Sequence, residues 1–367
     1  MKRRDFLKLL GAGLVIPSLE FEAEAKNAPD LSHHEARYYE KLPDRRVRCL
    51  LCPRLCIVGD KERGYCGVRE NQGGKYVSLV YGRPVTLAID PIEKKPLFHF
   101  LPGRKAFSIA TAGCNVNCKF CQNWEISQVR PEQVRFYKIP PGQTAQLAYK
   151  YAAPIIAYTY SEPIIFVEYM LDTASFATRL GIRNVIITGA HVRPKPWKDI
   201  LAAMDGVKID LKAFTEEFYR KIVRGNLKPV LDAIVMAAES GKWLEIVYLV
   251  IPGLNDNMKD IKRMSRWMVK NIGPDVPVHF SRFFPMYLLK NLPSTPVRTL
   301  ERAREVAMGE GIKFVYVGNV PGHPAETTYC PKCKRALIKR VGYEIKEFNI
   351  KHGKCKFCGE KIPGVWS

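Results

Sequence analysis

Three closely spaced cysteines constrain this 367-residue chain more than any other feature of its sequence. They are Cys114, Cys118 and Cys121, in the pattern C-x3-C-x2-C, and the next cysteine along the chain is Cys330. Iron–sulfur cubes are usually held by four thiolates, so a loop with only three leaves one iron without a protein ligand. An open coordination position distinguishes a catalytic metal centre from a closed structural one. The spacing therefore predicts a [4Fe–4S] centre open to a small molecule, and a zinc knuckle with a distant fourth ligand is the alternative.

The other eight cysteines form two groups of four, one on each side of this loop. The first group has the pattern C-x2-C-x3-C-x9-C and consists of Cys49, Cys52, Cys56 and Cys66. The last has the pattern C-x2-C-x21-C-x2-C and consists of Cys330, Cys333, Cys355 and Cys358. Such gaps are typical of metal ligands, and an odd total of 11 cysteines argues against complete disulfide pairing. The last group matches a zinc ribbon, with rubredoxin-like iron as its alternative, and the first predicts either an auxiliary [4Fe–4S] cluster or a structural zinc.

Apolar, β-branched runs alternate with helix-like stretches from residue 106 onward. The runs are 107–112, 155–160, 184–188, 207–211, 244–251, 278–280 and 313–317. This alternation indicates a parallel sheet with crossover helices. We therefore predict the α/β class, with a partial (β/α)6 TIM-like barrel over 106–320 whose chemistry lies at the carboxyl ends of the strands. A cysteine-rich segment over 26–105 precedes the barrel, and a zinc-ribbon-like tail over 321–367 follows it.

The first 25 residues resemble an export leader. The stretch 2–8 contains the arginine pair of a twin-arginine signal, and a mildly apolar run over 9–19 follows it. That run is too short to span a bilayer as a helix, and the triplet at 23–25 suits a signal peptidase. The twin-arginine route carries folded, cofactor-loaded proteins, whereas thiolate metal sites favour a reducing compartment. Localisation therefore stays open between export or membrane association and the cytoplasm.

Charge and composition narrow the classes of partner. The formal net charge of +22 favours attraction to something acidic, such as nucleic acid, an acidic protein or an anionic membrane surface. Because the basic residues are scattered and form no long block, nucleic acid is the less favoured of these partners, although it stays open. An apolar content of 47% is ordinary for a globular protein with a real core.

Polar residues follow the second and third predicted strands, where the mouth of a barrel lies. Glu162 stands just before Pro163, so it is either a ligand-binding carboxylate or the acid at a helix N-terminus. Thr188 and Gly189 end the third strand, and Gly189 allows a ligand to approach the backbone closely. His191 follows them, although a lone histidine is more often structural.

The fourth predicted strand ends in a charged cluster. Strand alternation places Lys208, Asp210 and Lys212 on one face. Charges on the inward face of a barrel strand are unfavourable without partners. Asp210 and Lys212 therefore form either a ligand site or a structural ion pair.

These motifs together resemble one enzyme family. The stretches that carry the resemblance are 48–56, 64–71, 113–124, 159–163, 210–212, 279–283 and 329–366. The three-cysteine loop is similar to the signature of radical S-adenosylmethionine (SAM) enzymes. With the two flanking cysteine groups, the chain resembles the radical SAM component of the AmmeMemoRadiSam system. That family is similar in turn to the activases of pyruvate formate-lyase and other glycyl radical enzymes.

The resemblance implies a reaction and a set of cofactors. SAM chelates the open iron, one electron from the reduced cluster cleaves its sulfonium C–S bond, and a 5′-deoxyadenosyl radical takes hydrogen from a substrate that the family does not specify. It implies SAM contacts at Glu162, Thr188, Gly189, Asp210 and Lys212. It also implies an electron donor such as a ferredoxin or flavodoxin, and a protein substrate or partner from the same system.

Three other functions are open, because the chain departs from the activase pattern at one residue and because its composition suits other roles. Activases usually carry a histidine where this chain has Gln122, which weakens the expectation of glycyl radical activation. An RNA-modifying enzyme would use the positive charge and the ribbon. A multi-centre electron carrier would hold the three-cysteine cluster without turning it over. SAM and low-potential reductants are cytosolic, so the implied chemistry and the export leader point to different compartments.

Overall fold

The structure is a computed structural model that describes residues 30–367, so the predicted leader over 1–25 lies outside the described residues. The described part of the chain begins with two small antiparallel sheets, each of three strands. One has the order β1-β6-β5 and the other the order β2-β3-β4. The strands are β1 (His34–Glu35), β2 (Tyr39–Lys41), β3 (Val47–Cys49), β4 (Ile57–Val58), β5 (Arg69–Gln72) and β6 (Lys75–Ser78).

A sheet of eight strands forms the centre of the molecule. Its strands are β7 (Thr86–Pro91), β8 (Lys105–Ala110), β9 (Ile155–Tyr158), β10 (Arg183–Thr188), β11 (Gly206–Asp210), β12 (Trp243–Val250), β13 (Val278–Arg282) and β14 (Val315–Gly318). They lie in chain order, and β8 to β14 run parallel to one another. Seven parallel strands joined by six crossovers confirm the predicted α/β fold. The order is linear from β7 to β14, so the barrel is partial.

The edge strand β7 comes from the cysteine-rich segment, ahead of the boundary predicted at residue 106. It pairs with β8 in antiparallel register. A buried ion cluster explains the position of β7, because Asp90 accepts hydrogen bonds from Lys95 Nζ at 2.5 Å and Ser108 Oγ at 2.7 Å. Buried charges need partners of this kind. If β7 left the sheet, Asp90 would be separated from Ser108, and buried charges would lose hydrogen-bond partners. The central sheet therefore takes one of its eight strands from the N-terminal side of that boundary.

Helices cover the outer face of the sheet. The longer ones are Pro141–Lys150, Val167–Arg179, Pro194–Ala203, Leu227–Glu239, Met258–Ile272 and Val297–Gly309. Each lies between two parallel strands and buries one apolar side, which is the arrangement that parallel sheets require. Within residues 30–367, none of the helices combines the length and the apolar character that a membrane crossing needs.

The C-terminal tail closes the end of the barrel at which the strands begin. Its strands are β15 (Thr328–Tyr329), β16 (Ala336–Val341), β17 (Glu344–Phe348), β18 (Ile350–Lys351) and β19 (Lys354–Cys355). The fully buried Arg340 of β16 donates to the carbonyl of Phe98 at 2.7 Å and lies 3.9 Å from Glu93. The backbone of Val365 exchanges hydrogen bonds with His99 and Leu101, the segment just before β8. The tail and the barrel therefore share a core at this end.

Substitution of Gly364 tests this docking. A Cβ atom at Gly364 would lie 2.8 Å from the backbone oxygen of His99 and 2.3 Å from the ring of Trp366. We expect Gly364→Ala to lower the free energy of unfolding by about 1–3 kcal/mol, because the tail must shift to make room. Gly309→Ala is the control, since nothing lies within 4 Å of its Cβ position. Denaturant unfolding that shows equal stability for the two variants would contradict the docking.

Candidate active site

The three-cysteine loop leaves the carboxyl end of β8 and packs against the N-terminal segment. Gly113 stands at the point of closest approach. Its φ is 92°, in the left-handed region that favours glycine. A Cβ atom there would lie 2.6 Å from Val68 Cγ1 and 2.7 Å from the carbonyl oxygen of Cys66. The glycine that opens the loop is therefore required both by conformation and by space.

A π-helical turn, Tyr219–Val223, clamps the loop from the side of β11. The backbone N–H of Asn117 donates to the carbonyl of Val223 at 3.1 Å, and that of Lys119 donates to Ile222 at 3.0 Å. Such turns are rare and concentrate at functional sites. Sequence reasoning missed this element because a single irregular turn leaves no periodic pattern.

Burial makes the three loop thiols hard to ionise without a metal. It raises the pKa of Cys118 to about 12, against the nearby positive charge of Lys212, and it raises the pKa of Cys114 well above its usual range. The pKa of Cys121 is raised as well, although Ser127 opposes the shift with a contact of 3.1 Å to its sulfur. Metal binding displaces these protons, so the loop is built to hold thiolates only when it is loaded.

Glu162 joins the ends of two strands beside the loop. Its carboxylate is buried and accepts hydrogen bonds from the backbone N–H of Ile164 at 3.2 Å, from that of Gly189 at 2.9 Å and from the hydroxyl of Thr188. Burial raises its pKa, and the bond from Thr188 opposes this. The bond to Ile164 caps the short helix Pro163–Phe166, as one of the two sequence interpretations predicts. The same carboxylate also faces Cys114, whose pKa it helps to raise.

Asp210 lies between two lysines at the end of β11. Its two oxygens accept from Lys208 Nζ at 2.5 Å and from Lys212 Nζ at 2.9 Å. Burial alone would raise the pKa of Asp210, but the two ammonium groups hold it at about 2. The structure therefore contains the ion pair that was one of the predicted alternatives. Lys212 also lies near Gly189, because its Cε is 3.9 Å from the position that a Cβ of Gly189 would take, and its charge acts on Cys118 in the cysteine loop.

His191 lies beside the loop and forms hydrogen bonds with two other segments. Its Nε2 accepts from the backbone N–H of Asn226 at 3.3 Å, and its carbonyl accepts from Asn115 Nδ2 at 2.8 Å. Burial lowers its pKa to about 4, so the ring is neutral. The histidine therefore connects the cysteine loop to the segment that follows the π-helical turn.

Besides His191 Nδ1, three polar atoms around the loop are buried without a hydrogen-bond partner in the described part of the chain. They are Asn115 Oδ1, Asn117 Oδ1 and Ser161 Oγ. Buried polar atoms are nearly always paired, so a polar ligand at this position would satisfy them. Asparagine and serine are common in loops as well as in ligand sites, so the sequence did not indicate these three residues. Three thiols and these unpaired atoms fit an iron–sulfur cluster that carries a bound polar cofactor.

The two outer cysteine groups differ in geometry. In the tail, the sulfur pairs Cys330–Cys358 and Cys333–Cys355 are 3.6 Å and 3.8 Å apart. A tetrahedron with zinc–sulfur bonds of about 2.3 Å has sulfur–sulfur edges of about 3.8 Å, so the tail suits a single metal ion. The first group lines one cavity in the N-terminal segment with all four members: Cys49, Cys52, Cys56 and Cys66.

Comparison with known proteins agrees with this site. The sequence model of the radical SAM superfamily matches residues 108–265, which include the cysteine loop and the ends of β9, β10 and β11. An uncharacterized protein of Methanocaldococcus jannaschii is 44% identical over 333 residues, which are 90% of this chain and 99% of that protein. The pyruvate formate-lyase-activating enzyme of Clostridium pasteurianum is 21% identical over 169 residues, 44% of this chain and 67% of that enzyme.

Among solved structures, a radical SAM methyltransferase from Sphaerobacter thermophilus has a TM-score of 0.48 and 14% identity, with 78% of this chain and 76% of that chain covered. The sequence matches and the three-cysteine loop at the mouth of a partial barrel lead to one assignment. The chain belongs to the radical SAM superfamily and is a radical SAM enzyme.

Proposed function

We propose that Cys114, Cys118 and Cys121 hold a [4Fe–4S] cluster whose open iron binds SAM. The main support for this proposal is that residues from the ends of three strands meet at the loop. They are Glu162, Thr188, Gly189, Asp210 and Lys212. When bound, the cluster supplies one-electron cleavage of the sulfonium C–S bond of SAM, which yields methionine and a 5′-deoxyadenosyl radical for hydrogen abstraction. The remaining task of the protein is to bind, orient and shield the reactants.

We assign the amino group of SAM to Glu162. Its Oε1 accepts from Thr188 and Ile164, whereas its Oε2 accepts from the N–H of Gly189. A carboxylate oxygen has two lone pairs, so Oε2 retains capacity for a further donor. An ammonium group is the donor that a buried carboxylate binds most strongly, because charge-assisted hydrogen bonds are the stronger class.

Lys212 balances the charge of the occupied loop. Its ammonium is held by Asp210 at 2.9 Å and acts on Cys118, whose thiolate it favours. Asp210 in turn is positioned by both lysines, so its oxygens are available at a fixed place beside the cofactor. We assign Asp210 and Lys212 to the ribose or carboxylate end of SAM.

A stacked aromatic pair marks the entrance for the substrate. The rings of Trp124 and Tyr287 lie 5.3 Å apart at an angle of 12°, and Trp124 is 36% exposed. The neighbouring Leu288 donates its backbone N–H to the carbonyl of Lys119 at 2.9 Å, within the cysteine loop. A substrate that contacts this pair is therefore adjacent to the site where the radical forms.

We also propose that the chain is the radical SAM component of the AmmeMemoRadiSam system and takes its electron from a ferredoxin or flavodoxin. The two outer cysteine groups support this assignment, as do the motifs around residues 48–56 and 329–366. Gln122 makes glycyl radical activation the less favoured reaction. For the tail, sulfur spacing supports one zinc ion on Cys330, Cys333, Cys355 and Cys358.

Alanine at Cys114, Cys118 or Cys121 should abolish 5′-deoxyadenosine formation in anaerobic assays with SAM and dithionite. The loop lies outside the strands and helices of the barrel, so circular dichroism should show an intact fold. Lys270→Ala is the control, because it changes an exposed side chain on the helix Met258–Ile272 and removes no thiol. A loop variant that retains full product formation would contradict the proposal.

Glu162→Gln should weaken SAM binding by about 10- to 100-fold, since a hydrogen bond between charged groups contributes about 1.5–3 kcal/mol. Equilibrium binding to the reconstituted enzyme measures this. Glu239→Gln at the exposed end of its helix should leave the dissociation constant unchanged. Equal affinities for the wild type and Glu162→Gln would exclude the carboxylate from the SAM site.

Cys355→Ser should remove about one zinc ion per chain, because a four-thiolate site loses affinity when one ligand is replaced. The iron content of the full-length protein should stay the same, and the melting temperature should fall. Elemental analysis of both proteins provides the test. Unchanged zinc, or iron in its place, would overturn the assignment of the tail.

A further inference from the structure

The four cysteines of the first group share one cavity where the N-terminal segment meets the barrel. Other residues that line it are Arg54, Arg69, Tyr76, Asn115 and Ile165. The wall therefore includes Asn115 of the catalytic loop and Ile165 of the helical turn after β9, as well as the N-terminal segment itself. Nothing in the catalytic mechanism accounts for this cavity.

Two buried hydrogen-bond donors in the cavity wall lack partners within residues 30–367. Arg69 is fixed by bonds from Nε to the carbonyl of Ile165 at 3.2 Å and from one Nη to Glu168 at 2.5 Å, but its other Nη has none. The hydroxyl of Tyr76 has none either, and both side chains are fully buried. An unsatisfied buried donor costs about 1–3 kcal/mol. Two such donors beside four thiols indicate an anionic group that accepts hydrogen bonds.

The sulfur spacing distinguishes the kind of metal group. Within the described part of the chain, the tail quartet is the one set of candidate ligands whose atoms all lie within 4.8 Å of one another. The sulfur atoms of the first group therefore do not have the spacing of a site for a single metal ion. A cubane is larger than one ion, so its four ligands do not need to lie so close together. The inorganic sulfides of a cubane also supply acceptors for Arg69 and Tyr76. Gly64 keeps this space open, because a Cβ there would lie 2.5 Å from the hydroxyl of Tyr76 and 3.9 Å from Cys56 Sγ.

The cavity is adjacent to the catalytic loop. The carbonyl of Cys66 packs against Gly113, the residue before Cys114. Arg54, from the cavity wall, donates to the carbonyl of Asn115 at 2.6 Å. Asn115 follows Cys114 directly and itself lines the cavity. A single layer of residues therefore separates the two cysteine sites.

We propose that Cys49, Cys52, Cys56 and Cys66 hold a second [4Fe–4S] cluster that relays electrons to the catalytic one. One electron from a carrier of the ferredoxin or flavodoxin class reduces the second cluster from the 2+ to the 1+ state. The same electron then reduces the catalytic cluster from 2+ to 1+, and the second cluster returns to 2+. No covalent bond changes in these transfers. The relay rests on the proposed function, whereas the metal site does not.

The metal site is tested in the Cys114/Cys118/Cys121 triple alanine variant, which leaves the first group intact. Anaerobic reconstitution should give about four irons per chain against about eight in the wild type, with visible absorbance and an electron paramagnetic resonance signal after reduction. A colourless variant with two zinc ions per chain would overturn the second cluster. Because this variant lacks the catalytic ligands, the result is independent of SAM cleavage.

Tyr76→Phe tests the assigned cavity and the relay without removing a ligand. In the triple alanine variant it should make the midpoint potential of the remaining cluster more negative, because a hydrogen bond to sulfur is lost. With the catalytic loop intact, it should slow 5′-deoxyadenosine formation several-fold with a flavodoxin as donor but not with dithionite. Tyr39→Phe is the control, since Tyr39 bonds Glu35 and does not line the cavity.

An unchanged potential would place the cluster outside this cavity. A shifted potential with an unchanged flavodoxin-driven rate would overturn the relay and retain the metal site. Loss of product with both reductants would indicate failure of the catalytic site itself, which also contradicts a pure relay role.

Discussion

The buried ion pair between Arg69 and Glu168 holds the cysteine-rich segment against the barrel. The side chains are almost completely inaccessible, and Glu168 also accepts a hydrogen bond from the backbone of Arg37 at 2.9 Å. Loss of one partner from such a pair typically costs about 3–5 kcal/mol, because the other charge stays buried alone. The pair therefore fixes how the cysteine-rich segment lies on the barrel, where the Cys66 carbonyl contacts Gly113. In this way it also fixes the position of the three-cysteine loop.

The two ends of the barrel have different tasks. At the carboxyl ends of the strands, Glu162, Lys212 and the cysteine loop meet at the proposed SAM site. At the amino ends, Arg340 and the tail fill the opening, and the tail cysteines form a separate site. Parallel barrels concentrate chemistry at one end and stability at the other, and this protein follows that division.

The fold was predictable wherever buried parallel strands leave continuous apolar runs, and all seven such runs became strands of the central sheet. The convergence of Glu162, Thr188 and Gly189 was also predictable, because the carboxyl ends of neighbouring parallel strands meet. The place of β7 was not, since it depends on Asp90 meeting Lys95 and Ser108 across the fold. The clamp at Tyr219–Val223 and the unpaired donors of the N-terminal cavity likewise arise only from tertiary contacts.

The proposed chemistry depends on the binding of SAM to the open iron of the loop cluster. Electron–nuclear double resonance on the reduced enzyme tests it most directly, with SAM that carries nitrogen-15 in its amino group and oxygen-17 in its carboxylate. If SAM binds the open iron, both nuclei show hyperfine coupling to the cluster, and the coupling is lost when Cys118 is replaced by alanine. A reduced cluster that shows no coupling to either nucleus at saturating SAM would contradict it.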